Sequence, residues 1–534
     1  MARTLLFQKL IYALQQARRE NLKAEGKPLP LTKEQFKWTR RRFIRSAALA
    51  GGTAIATTAL PRAESTENNT RQPNIAIIGG GIAGLNAAYQ LKKAGFTATV
   101  YEASSRLGGR ILSVTGILGA DLITDLGGSF INSDHEDILA LAKEFRLHLF
   151  NRIEDIEKSS FPEVAYFFDS KLRFEAEVAL KLRSLAQQIS EDADLLDQDF
   201  DRFAPKFDRI SVAQYLDNHT DKIPEPFIRV LIENSIRTEF GVEPTDSSSL
   251  QLLFILPTVE GMKVEVLGDS DEAFVVQAGS GKIIERIALA LSGQIRTLMN
   301  LTKIQSQPKG FRLTFNGNYE VNADYAIIAI PFQVLRNVDL QVNIKPKLRR
   351  FIDEVNLGLN EKLLVGFAKK VWQQQTGFGA EIWTDLGFSQ AWEETQRQVN
   401  REDGILTFFF GANQVKAIQS RTSQSLGKEV VNKFDAVIPG AKNAANNNFL
   451  LTQWHKNPFI RGGYTNFRPG QLTEFGEFLY IESDDPKERQ DVNVGNLVFA
   501  GEHLSDEFYG FMNGAAQTGR LAAEVVVRKM RKKR

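Results

Sequence analysis

The spacing of apolar and polar residues changes along this chain, and each change predicts an element. Asn74-Ile75-Ala76-Ile77-Ile78 is a short, continuous apolar run of the kind found in a strand buried on both faces. Gly79-Gly80-Gly81-Ile82-Ala83-Gly84 follows and opens a helix-like stretch, and a second apolar run, 97–101, ends in Glu102. Together, residues 74–150 predict βαβ structure. Residues 151–272 change period: charged and apolar positions alternate at helical spacing over 175–189 and 227–237, which predicts a largely helical segment. Strand-like runs return at 295–304, 311–315 and 325–330. Residues 346–470 mix strands, such as 362–368 and 406–410, with helices such as 426–437. A last apolar strand, 497–500, precedes Gly501-Glu502-His503 and a glycine-opened helix over 510–523.

The first turn carries chemistry. Gly79, Gly81 and Gly84 occupy the first, third and sixth positions of a G-x-G-x-x-G element, and Glu102 stands eighteen residues beyond Gly84. In such an element the glycines give a tight turn, close backbone approach to a pyrophosphate at a helix N-terminus, and helix-on-strand packing, while the acid takes a ribose diol. A lone motif is weak evidence, but here strand, helix and acid all sit where a dinucleotide cradle needs them. Past Glu102, the segment to Arg110 adds a second glycine pair, Gly108 and Gly109, with Arg106 and Arg110 where a longer cofactor lays its phosphates. The N-terminus of this last helix suits a ring that gains negative charge on reduction, because the helix dipole favours an anion there. Glu502 is either an ordinary surface acid or, at the end of a buried strand, a partner for ribityl hydroxyls.

These segments, with Asp125-Leu126-Gly127-Gly128-Ser129-Phe130, 329–335, 357–362, Trp454 and Arg461-Gly462-Gly463-Tyr464, resemble the flavin-dependent amine oxidase family in their order. That family includes monoamine, polyamine and L-amino-acid oxidases, and the resemblance covers most of residues 74–527. It implies an α/β fold in which a Rossmann-like FAD-binding domain is interleaved with an α+β substrate-binding domain. The expected division is FAD domain at 74–150, 273–345 and 471–534 (the last with a basic tail), and substrate domain at 151–272 and 346–470. The resemblance implies FAD contacts at Gly79, Gly81, Gly84, Glu102, Arg106, Gly109, Arg110, Gly127, Gly128, Ser129, Leu301, Gly501, Glu502 and Met512. It makes Lys362, Tyr464 and Phe511 the catalytic candidates. In the family a lysine at the Lys362 position holds a water against flavin N5 and helps reoxidation by oxygen, and two aromatic residues steer the amine nitrogen. From residue chemistry alone, Lys362 is either a buried functional ammonium or a strand-edge lysine facing water, and paired aromatics and Trp454 are more often core.

Composition narrows the setting. A chain of 534 residues exceeds one compact core. It has no cysteine, so disulfides, thiol catalysis and a cysteine-linked flavin are excluded and FAD is expected to be held non-covalently. The first 45 residues carry twelve Lys/Arg against three Asp/Glu, a net +9, which leaves −7 on the rest of a chain whose total is +2. A mildly acidic body does not suit nucleic acid and does suit a cationic amine. Thr39-Arg40-Arg41-Arg42-Phe43-Ile44-Arg45, the weakly apolar stretch to Leu60, and Pro61-Arg62-Ala63 read as a twin-arginine-type signal within a leader over 1–63, with a linker over 64–73. Periplasm or a comparable lumen is the expected destination. Leader and basic tail are candidates for membrane association, and a homodimer is compatible with the sequence.

Substrate chemistry is less determined. No metal, serine triad or base dyad is required, and the histidines are scattered; His503 is a cofactor-shell candidate. L-Amino-acid oxidases of the resembled family usually carry a carboxylate-binding arginine where this chain has Phe130. A buried carboxylate missing its partner costs roughly 3–5 kcal/mol, unless Arg237, Arg461 or Arg468 fills in. Polyamine oxidases carry an acid slightly later, where this chain has Asn132, although Arg461 to Phe467 most resembles their version. The expectation is oxidative deamination of an amine or L-amino acid, with electrons passed to oxygen or to a quinone or cytochrome. A desaturase or isomerase of a prenyl lipid or porphyrin, and a non-catalytic flavoprotein, are the alternatives.

Overall fold

The computed structural model describes residues 72–532, apart from 269 and 484. The expected leader and export signal lie outside the described residues. Within them, β1 (Ile75–Ile78) leads through α1 (Ile82–Lys93) to β2 (Ala98–Tyr101), and β1 and β2 pair in parallel. Later segments complete this sheet: β3 (Ile295–Arg296), β4 (Tyr325–Ile328), β5 (Asn493–Val494) and β6 (Leu497–Phe499), in the order β3-β2-β1-β4-β6-β5. All pairings but β5–β6 are parallel. β1 and β4 are buried at every position, as a sheet covered on both faces requires.

One covering helix is α1 and another is α2 (Met512–Arg531), the second continuing well beyond the expected glycine-opened stretch. They cross closely. A Cβ on Gly519 would stand 2.2 Å from the Ala83 carbonyl oxygen, and the Asn86 amide donates to the Ala516 carbonyl at 2.7 Å. This contact ties the first and last thirds of the chain together beside the cradle.

A second, seven-stranded sheet is built from Val164–Phe168, Lys171–Phe174, Asn360–Phe367, Glu381–Thr384, Gln390–Glu393, Gly404–Gly411 and Ala445–Leu451. Asn360–Phe367 and Gly404–Gly411 are buried throughout and pair antiparallel, Lys362 opposite Phe409. The helix Glu175–Gln198 packs Val178, Leu182, Leu185, Ile189 and Leu196 inward at helical spacing. Pro226–Phe240 begins with proline and ends at Gly241 in the left-handed region, φ 63°.

Two expectations are corrected here. The run 295–304 is not one strand. Leu298 turns the chain at φ 59°, so Ile295–Arg296 joins the parallel sheet while Leu301–Ser306 enters a separate four-stranded sheet. The largely helical segment 151–272 also contains the strands Val164–Phe168 and Lys171–Phe174, which edge the seven-stranded sheet. Four of five positions in Val164–Phe168 are buried, so no alternating pattern marked them.

Candidate active site

The three cradle glycines do different work. A Cβ on Gly84 would lie 2.0 Å from the Gly79 carbonyl oxygen, and one on Gly79, at φ 108°, would lie 2.5 Å from that of Ala329. Those two positions hold the turn together. A Cβ on Gly81 would meet nothing within 4 Å, because Gly81 faces an open cavity. Glu102 is almost buried: one carboxylate oxygen accepts the Gly80 amide at 2.6 Å and the other accepts the Ser104 amide and hydroxyl, each at 2.8 Å. The acid therefore fixes the loop and still borders the same cavity.

That first cavity has about 1200 Å³ of free space and runs from the cradle past Arg106, Gly109 and Arg110 to Gly127, Gly128 and the start of α2. Arg106 curls its loop by donating to the carbonyls of Leu107 and Gly109. Arg110 donates to the Gly463 carbonyl at 2.6 Å and to Glu502 at 2.8 Å. The Glu502 carboxylate also accepts the Thr465 hydroxyl and the Gly510 amide, each at 2.8 Å. Burial works to raise its pKa, but Arg110, with the hydrogen bonds from Arg110 and Thr465, holds it below the usual range. Glu502 is thus not a surface acid: three protein donors engage it as a brace for the wall of the cavity that it also lines. Burial pushes the adjacent His503 down to about 4, so that side chain is neutral at ordinary pH. Leu301 is buried and lines a smaller cleft with Gly79 and Glu102. Trp454, expected in the core, packs against the small cluster of Leu118, Leu122 and Leu126 and also borders the first cavity, its indole donating to the Leu126 carbonyl at 3.2 Å.

A dinucleotide with a long second half fits this donor set. A side-chain-free face at Gly81, a helix N-terminus at Met512 and an acid at the end of β2 are the recognition chemistry of its phosphates and ribose. No cysteine is present to attach it.

A second cavity, about 1360 Å³, lies against the first. Lys362, Phe409, Tyr464, Phe511, Gly128 and Met512 border both, so the structure brings the three catalytic candidates to the wall that the cavities share. Lys362 is buried, and its ammonium donates to the carbonyls of Asp125 (2.9 Å) and Gly127 (2.8 Å) and to the Ser129 hydroxyl (2.9 Å). Burial lowers its pKa against the opposing pull of Glu394 and Asp125. Tyr464 is raised above the ordinary phenol range, by burial first and then by Glu239 and Glu272.

Beyond this wall the second cavity is lined by Phe130, Phe240, Phe254 and Trp392, with Glu239, Glu272, Asp134 and Glu507 as its acids. Among the described residues, Lys362 is the one Lys or Arg in the lining. Neither Arg237, Arg461 nor Arg468 reaches it. Arg237 is committed to Glu243 and Glu233, and Arg461 is exposed. Phe130 places its ring 4.1 Å from the Arg152 guanidinium, which itself pairs with Glu272 at 3.2 Å. Asn132 accepts from the Ser270 hydroxyl and the Glu272 amide, each at 3.1 Å.

Sequence reasoning missed the support beneath Lys362. Asp125 and Arg397 form a wholly buried pair at 2.7 Å, and Glu394 accepts the Asp125 amide and the Trp392 and Thr407 side chains. Trp392 in turn stands 5.2 Å from the Lys362 ammonium. No spacing announces this network, because its members come from segments more than two hundred residues apart.

Known proteins resemble this chain at low identity. An L-amino acid dehydrogenase of Synechocystis sp. is 24% identical over 472 residues, 84% of this chain and 94% of the relative. Polyamine oxidase 1 of Zea mays is 24% identical over 491 residues, covering 86% of this chain and 91% of the relative. Among solved structures, putrescine oxidase bound to putrescine matches with a TM-score of 0.70 at 19% identity, over 86% of this chain and 99% of that one. Cyclohexylamine oxidase from Brevibacterium oxydans matches at 0.68 and 19%, over 86% and 100%. These likenesses show a common fold. Because the family described as flavin containing amine oxidoreductase matches residues 82–527 across both cavities, the chain belongs to that family and is a flavin-dependent amine oxidase or dehydrogenase that uses FAD without a covalent link.

Proposed function

We propose that the chain oxidatively deaminates a cationic amine without an α-carboxylate. The observation that carries this reading is the lining of the second cavity: among the described residues, four acids, and no Lys or Arg except the fully engaged Lys362. An amino-acid carboxylate placed there would meet acids rather than a guanidinium, a mismatch of roughly 3–5 kcal/mol. A cationic amine meets attraction instead. Bound FAD supplies the acceptor for a hydride equivalent from the amine-bearing carbon. Tyr464 and Phe511 orient that carbon against the shared wall, the aromatic lining excludes water, and the resulting imine is hydrolysed after release. Lys362 places a positive charge where reoxidation builds a negative one, which supports oxygen as acceptor over a quinone or cytochrome.

The test is anaerobic bleaching of the bound flavin by putrescine, spermidine, benzylamine, cyclohexylamine and a set of L-amino acids. Amines should bleach it and amino acids should not; the reverse order defeats the reading. Bleaching by none of them would favour the desaturase or the non-catalytic flavoprotein. We further propose export through Arg40-Arg41-Arg42, whose support is sequence alone. An N-terminal reporter fusion that is retained inside the cell when these arginines become lysines would bear it out. Among the described residues no helix is long and apolar enough to cross a membrane.

A further inference from the structure

Hydride loss from the amine-bearing carbon requires a neutral nitrogen, whereas an aliphatic amine arrives protonated below about pH 10. Something must take that proton. Lys362 cannot, since its ammonium is already held by three acceptors. Tyr464 is held in its neutral phenol form, and Glu272 is paired with Arg152.

Glu239 is differently placed. It borders the second cavity together with Tyr464 and Phe511, and no described residue gives its carboxyl a hydrogen bond or an ion pair. Its position is fixed by backbone. It lies in the last turn of the helix Pro226–Phe240, whose end is stitched to the strand carrying Lys362: Asn360 donates to the carbonyls of Arg237 (3.0 Å) and Thr238 (2.9 Å), and the Leu359 amide donates to Gly241 at 2.8 Å. The same strand entry is stitched to Tyr464, whose carbonyl accepts the Gly358 amide at 2.7 Å. Glu239 is therefore held beside the aromatic wall with its carboxyl free. A helix C-terminus disfavours an anion, so the site favours a carboxyl that takes up a proton readily.

We propose that Glu239 is the proton acceptor for the incoming ammonium. In this step the substrate N–H bond breaks and a Glu239 O–H bond forms, leaving a neutral amine beside a neutral acid; no electrons are exchanged. Burial, then Glu272 and Glu381, pushes Glu239 up to about 8, close enough to an amine for the transfer. The other charged or titratable groups lining the cavity, besides Tyr464 and Glu272, are Asp134, His135, Glu507, Tyr509 and Lys362.

This inference rests on the amine reading, and its consequences have a definite sign. Below about pH 8 the free enzyme carries a protonated Glu239, so binding an ammonium to form the neutral pair releases one proton to solvent. Above it, the ionised carboxylate takes the proton internally and none is released. Titration calorimetry of the FAD-loaded enzyme with tert-butylamine, which has no α-hydrogen, in two buffers of different ionisation enthalpy should give about one proton released at pH 7 and about none near pH 9. No release at pH 7 overturns the proposal. The second measurement is the pH profile of anaerobic flavin reduction per unit of total amine, using the fastest amine of the panel above. The unsubstituted enzyme should rise to about pH 8, level off, and fall above the amine's own pKa. In Glu239→Gln the rise should continue to the amine's pKa with no falling limb, and reduction near pH 8 should slow at least tenfold. An unchanged profile in Glu239→Gln overturns the assignment, whereas failure of every amine to reduce the unsubstituted enzyme defeats the amine reading itself.

Discussion

The two cavities are walled in different ways. The first is shaped largely by backbone: Gly79 and Gly81 in a turn that Gly84 closes, Gly109 in the left-handed region, Gly128 against Met512, and the start of α2. The second is shaped by side chains, Phe130, Glu239, Glu272, Trp392 and Tyr464, drawn from five separate segments. A cofactor that is the same in every member of a fold is met by main-chain groups, which tolerate few substitutions. A substrate is met by side chains, which can be exchanged without disturbing the sheet beneath them. Lys362, Tyr464 and Phe511 belong to both walls and join the two kinds of recognition.

This contrast is most sharply broken within the cradle. Gly84→Val would drive a side chain into the Gly79 carbonyl, so soluble expression and the cooperative thermal transition should be lost. At Gly81 a Cβ meets nothing within 4 Å, so the circular dichroism and apo-protein melting of Gly81→Ala should stay near those of the unsubstituted chain, while the bulkier Gly81→Val should cut flavin co-purification by more than about a hundredfold. Equal damage from both would mean that Gly81 serves the fold and not the cofactor.

Next in size is the buried support. Asp125→Asn leaves Arg397, 1% exposed, without its close carboxylate partner, and chemical denaturation should report a loss of about 3–5 kcal/mol. A loss below about 1 kcal/mol would show that Glu394, 3.5 Å from the same guanidinium, suffices.

Lys362→Met acts on the shared wall. Stopped-flow reduction by amine should change by less than about threefold, while reoxidation by oxygen should slow by at least about tenfold, since only the second half-reaction develops negative charge near that ammonium. An unchanged oxygen rate would remove Lys362 from the acceptor chemistry, and slow reoxidation before any substitution would identify a dehydrogenase.

The smallest effect tests the substrate wall alone. Glu272→Gln retains shape but removes one carboxylate from the cavity, so KM for a cationic amine should rise by roughly three- to tenfold with little change in flavin content. Any gain toward L-amino acids in this variant would indicate that Arg152, released from Glu272, has become a carboxylate partner.

What the residues disclosed in advance follows the same division. The turn 79–84, its acid Glu102 and the helix over 510–523 were legible because their physical requirements are local: a strand, a turn and a helix N-terminus within a few residues. Lys362, Tyr464 and Phe511 were legible only through resemblance, and the structure brings them to one wall. Trp454 packs against core residues as read, but its second role at the cavity was not legible, because an aromatic residue carries no sign of whether its ring also faces a cavity. Glu239 went unnoticed, since one acid near the end of an amphipathic helix has the same local pattern whether it meets solvent or substrate.

By itself, then, the sequence determined where the chain turns, which runs are buried, that a dinucleotide is held, and that no thiol can attach it. Tertiary structure alone decided that Glu102 and Glu502 brace loops, that Leu298 divides a strand-like run between two sheets, and that Asp125, Arg397 and Glu394 lie beneath Lys362. The physical reason is range. Turn geometry, helix capping and strand burial are settled among neighbours, whereas the charge of a cavity is the sum of side chains that only the closed chain brings within a few ångströms of one another.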